Sequence, residues 1–457
     1  MRYAYKIIPV AVLAFVGATG CNDFLTGGEL TTDPNRPTTS TARQLFVGVQ
    51  SNLWAFLASD PVRTVEIWAQ HLTGVQGQYL LTQGYSNSEN TTNGFNQGLY
   101  IGGGLVDIRR AQGIASEAGD SVFVGALQVQ EALLMGIAAD LFGDVVYSQA
   151  LTNEPNPPLD NQLEVYAALQ TKLDSAIVNL AATGPTNVGP GEADLAYGGD
   201  PAQWTKLAHT IKARLYMHAA EVDNTAYASA LAEAPLGLTS PSDDFVATFS
   251  GASNEQNFWY QFFLVQRANY IRPNPTFVTL LESRNDPRRN LYFDATAANL
   301  SATLLAQNYT QPLVSANENL LNWAEAAYRT GATGAALAQL NAERALWSSR
   351  GVSLPPITAS GDNLLREILL ERYIALFQTY EPWNQYKRTC YPNLAPTVPG
   401  GRIPARFYYD TAERQTNSSI PFADEQPTRN RNDPVNGTDP FGAACRAEPP
   451  ASNVAGG

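Results

Sequence analysis

Residues of the kinds that usually carry catalysis or bind transition metals are rare in this sequence. The 457 residues include only three cysteines and three histidines, and no HExxH, CxxC, G-x-S-x-G or Walker-type motif occurs. His209 and His218 lie on one predicted helix about half a turn out of phase, so they cannot share a metal ion. The sequence therefore gives no reason to expect a metal, a cofactor or an enzyme activity.

Charged residues are also scarce. They make up 16% of the chain, and acidic residues outnumber basic ones by 42 to 29, which gives a net charge of −13. A charged fraction of about a quarter is usual in soluble domains. A negative field repels phosphate backbones, and no Lys/Arg stripe opposes it here. We therefore expect no binding of nucleic acid and a surface built largely from neutral polar groups.

The apolar run near the N-terminus, Ile7 to Val16, is too short to span a bilayer. Arg2 and Lys6 flank its start and small residues follow it up to Cys21, a pattern typical of a bacterial lipoprotein signal. We predict that residues 1–20 are a signal peptide and that Cys21 is acylated, which would anchor the protein in a membrane. Such signals usually carry leucine where this chain has Ala18, so plain secretion is the alternative.

The two remaining cysteines, Cys390 and Cys445, form an even pair in a chain that is predicted to be exported. Exported proteins meet oxidising conditions in which disulfides persist. We therefore predict a disulfide that ties the C-terminal tail to the end of the last strong helix. Two separate thiols are the alternative.

Apolar side chains that recur every three or four residues predict a series of helices after a polar, turn-rich tether at residues 21–40. Residues 41–457 are expected to form a single domain. The predicted helices cover residues 41–58, 62–73, 119–142, 161–181, 201–222, 316–330, 334–349 and 362–380.

The predicted helices pair across short turns in the manner of tetratricopeptide-like helical hairpins. The fold class is therefore mainly α, a superhelix of such hairpins with few short strands. Long irregular inserts interrupt the repeat at about residues 76–95, 182–199, 236–275 and 390–457. Inserts of that length in a compact protein are usually functional.

Two of these inserts combine aromatic rings with neutral amides. Sugar rings stack their C–H faces on aromatic side chains, and their hydroxyls need neutral donors and acceptors. Surface loops whose aromatics pin them to the scaffold would have the same composition, and this alternative stays open. The candidate ligand contacts are Tyr79, Tyr85, Asn87, Phe95, Asn96, Trp259, Tyr260 and Tyr270.

Several short motifs, taken in their order along the chain, resemble the SusD/RagB family of nutrient-binding outer-membrane lipoproteins, and in particular its SusD-like branch. The most specific is Ala139-Asp140-Leu141-Phe142-Gly143-Asp144-Val145-Val146-Tyr147-Ser148, which is similar to the family's "LFGDVPYSEA" element. The others are Cys21–Leu25, Asp33–Asn35, Asp200-Pro201 with Trp204, Asn285–Arg288, Tyr292-Phe293, Trp323–Ala327, Glu367–Arg372 and Ile403–Phe407. The departures are Val146 in place of proline, Ala405 in place of the first arginine of the family's "IPRR" segment, and the run Thr379–Trp383.

The resemblance implies a non-catalytic lipoprotein that is anchored to the outer membrane at the cell surface through Cys21. Proteins of this kind sit on a SusC-type TonB-dependent transporter and pass oligosaccharides, or in some members peptides, into it. Three alternatives remain at this point. They are the same fold binding peptides or another polymer, a surface glycoside hydrolase, and a helical scaffold that binds only protein.

Overall fold

Helices dominate the computed structural model of the protein, which describes residues 40–92, 94–399 and 401–433. The predicted signal peptide, the tether up to residue 39, Cys21 and Cys445 lie outside these residues. In chain order the helices are α1 (Ala42–Ala58), α2 (Asp60–Trp68), α3 (Gly77–Gln83), α4 (Phe95–Tyr100), α5 (Leu105–Glu117), α6 (Ser121–Phe142), α7 (Gln162–Leu180), α8 (Pro201–Ala219), α9 (Ala226–Glu233), α10 (Phe258–Tyr260), α11 (Pro275–Ser283), α12 (Arg288–Tyr292), α13 (Ala316–Arg329), α14 (Thr333–Leu346), α15 (Asp362–Ala375), α16 (Glu381–Thr389) and α17 (Thr411–Thr416).

The long helices begin where the sequence supplies caps. Thr41 and Gln44 form a capping box at the start of α1, and the Asp200 side chain accepts the Ala202 N–H at the start of α8. Successive helices pack against each other, as α5 does on α6, α6 on α7, α8 on α9 and α13 on α14. The prediction of paired helices with a mainly α fold is therefore confirmed.

Helix α6 is the centre of the core. It is the one helix in the described part of the chain that is long and apolar enough to cross a membrane, but 89% of its most apolar stretch is buried inside the protein. Its apolar side chains contact α5, α7 and α8 on different sides, which explains why it is apolar around most of its circumference.

Two short antiparallel ribbons tie the inserts to the helices. Strand β1 (Leu72–Gly74) pairs with β3 (Ile271–Pro273), with Leu72 opposite Pro273. Strand β2 (Phe245–Ala247) pairs with β4 (Gln311–Val314). The first ribbon joins segments about two hundred residues apart in sequence, and the second joins segments about seventy residues apart. Local periodicity cannot reveal pairings between segments so far apart.

The structure corrects two expectations about local structure. The last predicted helix does not run to residue 380, because α15 ends at Ala375 and a new helix, α16, starts at Glu381 with Pro382 in its first turn. Proline suits that position because its missing N–H has no partner there. The insert near residue 76, expected to be irregular, contains helix α3.

Cys390 ends α16 in a left-handed conformation, with φ +53°, and is 4% exposed. It takes part in a disulfide. Because Cys445 lies outside the described residues, the pairing of these two cysteines stays a prediction.

Candidate ligand-binding site

The two aromatic inserts lie side by side. The Val75 N–H donates to the Tyr270 carbonyl at 2.9 Å, next to the β1–β3 ribbon. Beyond it, the ring of Tyr79 meets the ring of Phe262 edge-on, with centroids 5.2 Å apart. Segments that are almost two hundred residues apart in sequence thus form one side of the molecule.

A cavity of about 330 Å³ opens on this side, between the start of α2, helix α3 and the loop that leads to α4. We call it the insert pocket. Most of its lining side chains are neutral and polar, with two aromatic rings and one carboxylate. They are Asp60, Thr64, Gln78, Tyr79, Leu81, Thr82, Ser86, Ser88, Asn90, Thr91 and Phe95.

The carboxylate of the insert pocket is held by a short relay of hydrogen bonds. Arg63 Nε donates to the Tyr79 hydroxyl at 3.1 Å, and that hydroxyl donates to the carboxylate of Asp60. Burial raises the pKa of the Tyr79 phenol despite the opposing charge of Arg63, and the charge of Asp60 raises this pKa further. The phenol therefore stays protonated and keeps Asp60, whose side chain is 43% exposed, oriented at the pocket's edge.

Four of the neutral groups keep their full capacity for hydrogen bonds. In residues 40–433, apart from the two positions left undescribed, no partner is found for the side chains of Thr64, Gln78, Ser86 or Asn90. Thr91 instead shapes the loop, because its hydroxyl accepts the Ser88 N–H at 3.0 Å. The pocket can thus exchange hydrogen bonds with a ligand without first breaking strong internal ones.

Two of the predicted contacts, Tyr79 and Phe95, line the insert pocket. Phe95 is half-buried, and its ring touches the rings of Phe56 and Phe407 at centroid distances of 6.4 and 5.9 Å. Tyr79 is only 2% exposed, which leaves too little of its ring face open for stacking. Tyr79 contributes to the pocket through its hydroxyl, which donates to Asp60 and orients that carboxylate.

Tyr85 and Asn87 line a crevice of about 50 Å³ rather than the insert pocket. The Tyr85 hydroxyl accepts the Thr397 N–H at 2.9 Å, and Asn87 Nδ2 donates to the Arg406 carbonyl at 2.8 Å. Both side chains thus fasten the first insert to the C-terminal segment. Asn96 lies within helix α4.

The candidates of the second insert do not converge on the insert pocket. Trp259 is fully buried and stacks on Phe263 at 5.8 Å, so the structure gives it no open ring face, and we do not retain it as a ligand contact. The Tyr260 hydroxyl accepts Gln307 Nε2 at 2.9 Å. Tyr270 packs so closely on Gly77 that a Cβ at this glycine, which has φ +55°, would lie 2.6 Å from the tyrosine ring.

No group of three or more His, Cys, Asp or Glu side chains within the described part of the chain is arranged to hold a metal ion. The acidic residues of the motifs that resemble the family serve in ion pairs. Asp140 pairs with His218 at 2.8 Å, Asp144 pairs with Arg431 at 2.7 Å, and Glu371 pairs with Arg288.

The family model described as "Starch-binding associating with outer membrane", of the SusD-like type, matches residues 34–346, more than half of the chain. The chain belongs to the SusD-like family. Proteins of this family bind nutrients at the outer membrane and are in general not enzymes. A comparison with curated protein sequences found no significant match.

Solved structures show that the SusD-like fold extends over most of the chain. A SusD/RagB family protein from Bacteroides thetaiotaomicron matches with a TM-score of 0.69 at 20% identity, over 92% of this chain and 100% of its own. A chitin-binding SusD homologue from Flavobacterium johnsoniae gives 0.71 at 18% identity, over 86% and 99%. A further SusD-like protein from B. thetaiotaomicron gives 0.71 at 20% identity, over 86% and 97%.

The sequence predicted both rings that line the insert pocket, Tyr79 and Phe95, but not most of its polar lining. In the sequence Asp60 lies between the predicted helices 41–58 and 62–73, and Thr64 lies within the second, so neither is marked as a ligand contact. A run of small polar residues from Ser86 to Thr91, between Tyr85 and Phe95, was the signal available. It could not show that this loop folds back over α2.

Proposed function

We propose that this SusD-like protein binds oligosaccharides in the insert pocket and passes them to a SusC-type TonB-dependent transporter. The observation that carries the proposal is the lining of the pocket, where unpartnered neutral groups surround one half-buried ring and one oriented carboxylate. Its volume, about 330 Å³, lies at the lower end of the range of small-molecule sites. One or two sugar rings of a longer chain fit that size.

The chemistry of the lining favours sugar over charged ligands. A sugar hydroxyl donates one hydrogen bond and accepts others, as do the hydroxyls and amides of Thr64, Ser86, Gln78 and Asn90. Phe95 supplies a partly open ring against which a C–H face can pack. The name of the chitin-binding relative from Flavobacterium johnsoniae supports the same ligand class.

The predicted lipid anchor at Cys21 fits this role, because it would hold the protein at the outer membrane beside a transporter. Family membership supports the outer-membrane location, and the net charge of −13 disfavours nucleic acid as a partner. We further propose that the protein does not cleave its ligand. Glycosidases use two opposed carboxyl groups, and Asp60 is the one acidic residue that lines the insert pocket.

Titration calorimetry of the purified protein with neutral malto-, chito- and xylo-oligosaccharides tests the proposal. At least one series should bind, and Asn90→Ala should weaken that binding about tenfold, the effect of one lost hydrogen-bonding group. Asn224→Ala is the matched control, since Asn224 is equally exposed and lines none of the cavities described here. Peptide binding without binding of any oligosaccharide would overturn the sugar proposal, and release of reducing ends from a bound glycan would overturn the non-catalytic one.

A further inference from the structure

A second cavity lies on a different part of the scaffold. It encloses about 370 Å³ between strand β4, the 3-10 turn Trp347–Arg350 that follows α14, and the residues after α15. No residue lines both this cavity and the insert pocket. Its size also falls in the range of small-molecule sites. We call it the β4 cavity.

Gln311, on the wall of the β4 cavity, is a buried amide without partners. Its side chain is 1% exposed, and neither its Oε1 nor its Nε2 has a hydrogen-bond partner among the described residues. It shares one face of strand β4 with Leu313, two positions along, which also lines the cavity. Buried amides in folded proteins are almost always satisfied, so an amide with two unused groups beside a cavity needs an explanation.

Gln378 supplies a second buried amide with unused capacity. It is 5% exposed, its Nε2 has no partner in the described chain, and it too lines the cavity. Its backbone has φ +69°, a left-handed conformation that residues other than glycine adopt rarely. Such left-handed conformations cost free energy in residues other than glycine. They persist where the surrounding structure enforces them, and they cluster at binding sites.

The charged groups around the β4 cavity are already neutralised. Arg214 binds both oxygens of Glu318 at 2.6 Å, and Arg350 lies 3.5 Å from Asp244. Tyr309, half-buried in the wall, makes no ring–ring contact with a described residue. The described lining thus contains two amides with unused hydrogen-bonding groups and one half-buried ring, and it holds no unpaired cation to attract an anion.

We infer that the β4 cavity is a second ligand site, which takes one small neutral polyhydroxylated molecule the size of a single pyranose. Both amide atoms of Gln311 and the Nε2 of Gln378 are hidden from solvent, so each side chain must change rotamer to reach a ligand in the cavity. Gln311 can then accept from one hydroxyl and donate to its neighbour, Gln378 Nε2 can donate to a third oxygen, and Tyr309 packs on a C–H face. This site is separate from the insert pocket and does not depend on the function proposed for that pocket.

Ligand-observed NMR and calorimetry with glucose, galactose, mannose and N-acetylglucosamine test the inference on the purified protein. At least one of these sugars should bind. Gln311→Leu should weaken the binding about tenfold and at the same time raise the urea midpoint of unfolding, because an apolar side chain of similar size removes two unsatisfied groups. Thr303→Trp, an exposed residue that lines the cavity, should obstruct entry and weaken the binding without changing the midpoint.

Asn224→Ala, at an exposed amide that lines neither cavity, is the control, and it should leave the monosaccharide affinity unchanged. The inference fails if none of the four sugars binds, if both Gln311→Leu and Thr303→Trp bind as tightly as the unaltered protein, or if Asn90→Ala abolishes the binding. Should Gln311→Leu not fold, Thr303→Trp decides alone. If the unaltered protein binds a monosaccharide but none of the oligosaccharides, the proposed function is refuted and this inference stands.

Discussion

Polar groups are arranged differently in the helical scaffold and in the insert pocket. In the scaffold, Arg388 of α16 binds both oxygens of Glu325 of α13 at 2.6 Å, and both side chains are almost completely buried. In the insert pocket, Thr64 and Asn90 have no partner in the described chain. The charges of this scaffold pair are satisfied by each other, whereas the neutral groups of the pocket remain available to a ligand.

This difference explains how one fold can have a rigid helical scaffold and still offer a pocket that binds a ligand. A buried ion pair fixes two helices relative to each other, since any shift would leave charges uncompensated. Burial works against ionisation of Glu325, yet Arg388 holds its pKa at about 2, so this pair stays charged at any physiological pH. Neutral groups in a preformed pocket can form hydrogen bonds to a ligand at little cost in reorganisation.

The largest effect that separates the two regions is expected from Arg388→Met. The change leaves Glu325 buried without its main partner, and we expect the free energy of unfolding to fall by about 3–5 kcal/mol. Urea unfolding followed by circular dichroism measures this. The matched control is Arg431→Met, which removes an exposed pair with Asp144 and should cost less than about 1 kcal/mol. Equal losses in the two variants would show that burial does not set the strength of these pairs.

A second test uses His218, which lies between Asp140 at 2.8 Å and Glu381 at 3.1 Å. Burial lowers the pKa of this imidazole, but the two carboxylates outweigh burial and raise it to about 9. A raised folded-state pKa stabilises the fold fully below the unfolded value and less as the pH passes through 9. Relative to His218→Gln, the unaltered protein should therefore lose about 3 kcal/mol of stability between pH 6.5 and pH 10. A pH-independent difference would mean that His218 is neutral in the fold.

A third test changes Asp60, the carboxylate of the insert pocket, and compares its effect on affinity with its effect on stability. Asp60→Asn keeps the shape of the side chain and removes the one charge that described residues contribute to the lining of the insert pocket. We expect oligosaccharide affinity to fall about tenfold, because hydrogen bonds to a charged group are stronger than those to a neutral one. The free energy of unfolding should change by less than about 1 kcal/mol, since Asp60 is 43% exposed. A large loss of stability with unchanged affinity would place Asp60 with the scaffold.

The smallest effect concerns Gln311, the buried amide without partners. Gln311→Leu should raise the free energy of unfolding by about 1 kcal/mol, because it removes unsatisfied polar atoms from the interior. Thermal unfolding measures the change. Gln50→Leu is the control, as Gln50 is equally buried but donates to Asp194 at 2.7 Å. It should be destabilised, and a destabilised Gln311→Leu would reveal a partner within the fold.

The helices of the scaffold could be predicted because their signals are local. The apolar stripe of α6 and the capping residues of α1 and α8 consist of residues that lie close together in the sequence. The end of α15 could not be placed in this way. Pro382 suggested the end of a helix, but it sits in the first turn of α16, and only contacts with distant residues decide between those two uses of proline.

The insert pocket could be predicted only in part, for the same reason. Composition pointed to the segment around Tyr79 and Phe95, but it could not tell an open ring from a buried one. Trp259 and Tyr85 look equally suitable in the sequence, yet they pack into the interior and against the C-terminal segment. Whether a side chain is available to a ligand depends on tertiary packing, which no local pattern records.

A crystal structure of the protein with its tightest-binding neutral oligosaccharide would show whether the insert pocket is the binding site. We expect sugar rings in the insert pocket, hydrogen-bonded to Asp60 and Asn90 and packed against Phe95. A sugar chain bound along the outer face of the scaffold helices, with the insert pocket free of it, would show that the pocket is not the site.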